Sequence, residues 1–150
     1  MNTKRRIDLR NLRIINYELR IKQTIKKIIA SGKNVLDSKV LVMGVTFKED
    51  VSDIRNSRVA DVIGELKSYG ASVDVVDPHA SSEELFNEYG FKLTEIISNN
   101  YDAVIIAVSH KEYYQLDENY FKSIVNENAI IIDVKGLYRG KIKNLKYWSL

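Results

Sequence analysis

At 150 residues the chain has the length of one domain, and by surface scaling a chain of this size buries roughly 68–70% of its unfolded surface, enough for a core. Apolar residues are 45% and charged residues 29%, with one proline; together with the shortness of the apolar runs this excludes a membrane span, a collagen-like repeat and a wholly disordered chain. There is no cysteine, so disulfides, thiolate metal sites and a cysteine nucleophile are excluded as well.

The net charge of +3 is unevenly spread. Residues 1–34 carry ten Lys and Arg against two acids, and residues 35–150 carry thirteen against eighteen, so the opening is +8 and the remainder −5. A basic opening suits nucleic acid, a membrane surface or an acidic partner within the same protein. No apolar signal core follows it, and Asp8 and Glu18 within a continuing helical pattern oppose a mitochondrial presequence. A cytoplasmic protein is expected. Nucleic acid is disfavoured by the acidic remainder and by the lack of an aromatic-basic platform.

In chain order, the first element is a long amphipathic helix over 9–30. Ile14, Tyr17, Ile21, Ile25 and Ile28 recur at helical spacing, while Arg13, Arg20 and Lys27 share another face. Gly32 is a plausible stop. Four apolar strands follow at 39–45, 72–77, 103–108 and 129–134, with helical patterns between them at about 57–69, 81–89 and 117–126. Strand–helix alternation of this pitch predicts an α/β fold, a Rossmann-like open and mostly parallel sheet with helices on both faces. Ligands of such sheets bind beyond the carboxyl ends of the strands.

After the first strand the chain reads Gly44-Val45-Thr46-Phe47-Lys48-Glu49-Asp50-Val51-Ser52-Asp53-Ile54-Arg55-Asn56-Ser57. The usual dinucleotide cradle needs Gly-x-Gly-x-x-Gly here, and only Gly44 is present. The long charged segment suits an anion held by side chains; the alternative is a solvated loop ending in an Asn56 or Ser57 helix cap. Asp77-Pro78-His79 after the second strand reads either as a ribose-binding acid or, more simply, as an Asp-Pro turn. His110, after the third strand, could be a general base, yet no Ser or Cys nucleophile with an orienting acid is recognisable nearby; the two histidines have no shared ligand spacing, so no metal site is expected, and both read as turn or substrate-proximal residues. After the fourth strand, Lys135-Gly136-Leu137-Tyr138-Arg139-Gly140 offers cations and an aromatic ring to a phosphate or a base, or is a glycine-bounded surface loop.

Gly44-Val45-Thr46-Phe47-Lys48 with Asp53, Arg55 and Ser57, followed in order by Ser109-His110-Lys111-Glu112-Tyr113 and Asp133-Val134-Lys135-Gly136-Leu137-Tyr138, resembles the C-terminal UDP-binding domain of the UDP-glucose/GDP-mannose (nucleotide-sugar) dehydrogenase family. The wording is similar to the branch acting on UDP-N-acetylhexosamines, of the UDP-N-acetylmannosamine type. Upstream, Arg13-Ile14-Ile15-Asn16 resembles the family's Gly-Arg-x-x-Asn-Asp segment, with Leu12 in place of the glycine and Tyr17 in place of the second acid. The resemblance implies that 1–34 are part of a long inter-domain and dimerisation helix and that 35–150 are a UDP-sugar-binding C-terminal domain.

It further implies a divided enzyme. An N-terminal domain binds NAD, a central region carries a catalytic cysteine, and the C6 alcohol of a UDP-sugar is oxidised to the carboxylate by two NAD through a thiohemiacetal and a thioester. This chain, without a cysteine, would hold no catalytic residue and would be inactive alone. Carried over by position, Phe47, Lys48 and Lys135 contact the UDP-sugar, Arg13 reaches a neighbour's sugar, and Arg55 reaches the NAD of a neighbouring subunit. The expected partners are a UDP-sugar and a second copy joined through the N-terminal helix, with neither nucleic acid nor membrane. A non-catalytic nucleotide-binding regulatory module is the alternative.

Overall fold

The computed structural model of the chain describes residues 9–30 and 34–149, without the side chains of residues 9–18 and 21. Its elements are α1 (Leu9–Ala30), β1 (Lys39–Met43), α2 (Arg58–Ser68), β2 (Ser72–Val76), α3 (Ser82–Tyr89), β3 (Tyr101–Ile106), α4 (Glu118–Ile124), β4 (Val125–Asp133) and β5 (Lys146–Ser149), with a short 3-10 turn at Lys111–Tyr113 before α4. The sheet order is β2-β1-β3-β4-β5, and all four strand pairs are parallel.

The apolar runs become interior strands because both faces of the sheet are covered. Val40 and Val42 of β1, Ala103 and Ile105 of β3, and Ile130 and Ile132 of β4 enter one core with Ile28 of α1, Ile63 and Leu66 of α2 and Leu85 of α3. Their alternating neighbours Leu41, Met43, Val104, Ile106 and Ile131 enter the opposite core with Phe121 and Ile124 of α4 and with Tyr113 and Tyr138. The period of two along each strand thus feeds two apolar layers, which is why the strands read as continuous hydrophobic runs.

Two elements depart from expectation. β4 starts at Val125 rather than at 129, because Tyr101 pairs with Val125 before the register shifts so that Ala103 meets Ile130; Asn128 takes a left-handed φ of 62° at this irregularity. β5 has no apolar run to announce it, and its residues become a strand by joining the free edge of β4. In the described part of the α1 stripe, Ile25 and Ile28 are buried within this chain's own core. Lys27 Nζ lies 5.3 Å from the centre of the Trp148 ring, linking the end of α1 to β5.

Candidate functional site

The strand order reverses between the parallel neighbours β1 and β3: the chain leaving β1 leads to β2 on one side and the chain leaving β3 leads to β4 on the other, which opens a crevice beyond their carboxyl ends. A pocket of ≈ 220 Å³ lies there. Its wall comes from three strand exits: Thr46, Phe47 and Lys48 after β1, Ala107 and Val108 after β3, and Val134 and Lys135 after β4. Val59 and Val62 of α2 supply more apolar wall. Gly44 makes the first exit possible. It has φ +89°, and a Cβ at this position would lie 2.6 Å from Val108 Cβ and 2.9 Å from Val108 N, so only glycine lets β1 and β3 diverge this closely.

Phe47, Lys48 and Lys135 therefore meet at one pocket, although they lie 87 or more residues apart in pairs across β1 and β4 exits. Phe47 is 58% exposed, which leaves its ring available at the rim. Two further cations enter the same pocket, Arg20 from α1 and Arg58 from the head of α2, against one carboxylate, Glu49. Sequence reading placed Arg20 only on a charged helical face and passed over Arg58. A signal for Arg58 was present, since it opens the helix that follows the first strand, where backbone N–H groups and cations favour anions. Such a cationic, partly apolar pocket can hold an anionic ligand that also carries a flat apolar group.

The remaining expected residues fall elsewhere. Arg55 faces a separate depression lined by Asp53, Glu84, Asn87 and Glu88, where its Nε and Nη2 donate to the two oxygens of Asp53 at 3.0 and 3.1 Å. These bonds hold the Asp53 carboxyl below its usual range and raise the Arg55 guanidinium. The side chain of Arg13 lies outside the described residues. Tyr138 is a core residue, its OH donating to Tyr113 O at 2.6 Å, and Arg139 donates to Ser149 Oγ. Asp133, fully buried, pins the loop carrying Lys135 by accepting from Gly136 N at 3.0 Å and Tyr138 N at 2.7 Å, with Tyr147 OH donating to it at 2.6 Å.

Asp77 does not face a ligand. Its side chain is fully buried, and both oxygens are engaged: Oδ1 accepts from His79 N and Ala80 N, and Oδ2 from Val45 N and His110 Nε2. The turn reading is correct as far as it goes, and the ribose reading fails because the carboxylate is consumed inside the protein. His110 is likewise fully buried, so it is not exposed to act as a base. His79 and His110 come together in space, with ring centres 4.7 Å apart, and one ligand atom each from Asp50, His79, His110 and Glu112 lies within 4.8 Å of the others. Both His110 nitrogens are already occupied within the protein. With no glycine cradle after β1 and with Asp77 buried, the described residues do not fit NAD in the manner of a Rossmann turn.

This fold and the position of its pocket define a doubly wound α/β nucleotide-binding domain. The model of the UDP-glucose/GDP-mannose dehydrogenase family, UDP binding domain, matches residues 41–140. A UDP-N-acetyl-D-glucosamine 6-dehydrogenase of Salmonella typhi is 40% identical over 114 residues, covering 75% of this chain and 27% of that protein. One of Pseudomonas aeruginosa is 34% identical over 118 residues, covering 78% and 28%. The structure of a UDP-D-ManNAc dehydrogenase from Pyrococcus horikoshii superimposes with a TM-score of 0.71 at 16% identity, covering 89% of this chain and 30% of that one. The chain belongs to the UDP-glucose/GDP-mannose dehydrogenase family and corresponds to its UDP-binding domain. It spans between a quarter and a third of the length of these relatives.

Proposed function

We propose that the chain holds the UDP moiety of a UDP-sugar for an NAD-dependent nucleotide-sugar 6-dehydrogenase, with a UDP-N-acetylhexosamine as the substrate class. The observation that carries this reading is the convergence of Phe47, Lys48 and Lys135, from two different strand exits, on one pocket at the sheet's switch point. A diphosphate in this pocket meets Lys48, Lys135, Arg20 and Arg58, and Phe47 offers a ring face to the base. Val59, Val62, Val108 and Val134 keep the pocket partly dry, which strengthens each ionic contact.

NAD, where bound, supplies the hydride acceptor. This chain's residues bind and orient the substrate, and with no cysteine they bring no thiol to the reaction. The pure chain therefore forms no NADH from a UDP-sugar. Completion of the site by a second copy is supported by the apolar side chains that α1 leaves exposed, Leu19 and Ile29. In that assembly Arg13 reaches the neighbouring sugar and Arg55 the neighbouring cofactor.

The test is a calorimetric titration of UDP into the wild-type chain and into Lys48→Ala. A charge-assisted contact contributes about 1.5–3 kcal/mol, so the variant should bind roughly tenfold to a hundredfold more weakly. Equal affinity in the two proteins removes Lys48 from the site, and no saturation by the wild type at millimolar UDP refutes a half-site preformed in this domain.

A further inference from the structure

We infer that the buried pair Asp77 and His110 is a clamp that sets the conformation of residues 45–50, making both of them positioning residues for the ligand held by Phe47 and Lys48. This deepens the nucleotide reading and rests on it for the identity of the ligand. The contacts themselves stand independently.

Asp77 leaves β2, His110 follows β3, and the segment they grip follows β1, so three strand exits are joined by one set of bonds. Asp77 Oδ2 accepts from Val45 N at 2.7 Å, Thr46 N at 3.3 Å and His110 Nε2 at 2.9 Å. His110 Nδ1 in turn accepts from Asp50 N at 3.0 Å. Only the neutral tautomer with its proton on Nε2 serves both contacts, since the carboxylate needs a donor and the amide needs a lone pair. Thr46 Oγ1 donates to Lys48 O at 2.9 Å, and Phe47 N donates to Asp53 O at 2.7 Å. Asp50 sits at φ +59°, a left-handed conformation that persists in a non-glycine residue when its surroundings hold it. Lys111 N, donating to Asp50 Oδ1 at 2.8 Å, adds to that hold.

The bonds thus fix backbone before and after Phe47 and Lys48 and leave those two side chains exposed toward the pocket. Apolar side chains in the places of Asp77 and His110 would fill the same space, but could not catch the amides of residues 45, 46 and 50. That choice of chemistry points to loop order as the purpose of the pair.

The experiment uses the whole 150-residue chain as wild type, His110→Gln, His110→Asn, Asp77→Asn and Lys48→Ala, at a temperature where thermal unfolding curves show the measured variants folded. His110→Gln keeps a donor toward Asp77 and loses the acceptor for Asp50 N, and His110→Asn does the reverse. Amide hydrogen exchange by NMR should be at least about tenfold faster at Asp50 in folded His110→Gln and at Thr46 in folded His110→Asn, with Val42 and Ile105 unchanged, and UDP affinity should fall about tenfold in each. Lys48→Ala should lose affinity while its loop amides stay as slow as in the wild type. Imidazole nitrogen shifts should show His110 protonated at Nε2 alone.

Loop amides that exchange at the wild-type rate in the folded His110 and Asp77 variants overturn the clamp. So does a loosened loop that binds UDP as tightly as the wild type, or a His110 proton found on Nδ1 alone. If the wild type takes up no UDP, the nucleotide reading fails, while the exchange rates still decide whether the pair orders the loop.

Discussion

Gly44 is the residue at which one added carbon does the most damage to the site. Its φ of +89° and the 2.6 Å approach to Val108 Cβ penalise any side chain twice. Gly44→Ala should destabilise the chain by about 1–3 kcal/mol, read as a lowered urea midpoint, and should weaken UDP binding as β1 and β3 are pushed apart. An unchanged midpoint would mean that the strand exits can open without cost. Gly44 and Lys48 stood out in sequence as a strand-end glycine and a cation, with a solvated loop open as the alternative, and Phe47 entered only through the family resemblance. Asp77 and His110 were seen as polar residues at strand ends, yet their pairing was hidden. Nothing local in Asp-Pro-His or Ser-His-Lys tells that two fully buried side chains 33 positions apart meet.

Among the elements, α4 shows how an acidic first turn can serve a distant segment. Asp117 caps the helix by accepting from Tyr120 N at 2.9 Å. Glu118, beside it, accepts from Lys143 N at 2.8 Å, Asn144 N at 2.5 Å and Leu145 N at 3.2 Å, and so anchors the turn that leads into β5. The Asn144 amide, followed by those of Lys143 and Leu145, lowers the Glu118 carboxyl to about 2. A carboxyl depressed in the folded state contributes stability above its unfolded pKa and loses it as the pH falls through the folded value. The wild type should therefore exceed Glu118→Gln in urea midpoint at pH 6, and this advantage should shrink between about pH 4.5 and pH 2. A gap that stays constant with pH would show that the Glu118 charge adds nothing to the anchor, and no gap at pH 6 would show that the glutamine oxygen replaces the carboxylate. The same anchor explains why β5 escaped sequence reading: it is placed by a carboxylate more than 25 residues upstream and by pairing with β4, with no apolar periodicity of its own.

On the scale of the whole molecule, α1 belongs to the domain as much as to any partner. Ile28 is fully buried between α1 and the sheet, and Ile25 and Thr24 are nearly so. Ile28→Ala should cost about 2–5 kcal/mol in urea unfolding, and a loss well below that range would indicate that α1 is only loosely docked. Because Arg20 reaches the pocket from this helix, the same variant should also weaken UDP binding, a link that a purely dimeric role for α1 does not predict. The parallel sheet and both covered faces were readable from apolar runs alternating with amphipathic segments. The docking of α1 on its own sheet was not, since a regular apolar stripe looks the same whether it meets a core or a second copy.

The wholly parallel sheet has a consequence for how the chain reaches this state. No strand pair can close through a tight turn, and β1 must find β3 across a long excursion through α2, β2 and α3, so that Val40 comes to lie opposite Ala103. Loop-closure entropy is spent before those distant pairings return anything. Refolding after dilution from denaturant is accordingly expected to be slow for a chain of this size. During that interval the isoleucine- and valine-rich segments of β3 and β4, destined for the centre of the sheet, stand open to other molecules, which makes dilute protein and rapid mixing the conditions in which the native pairing wins.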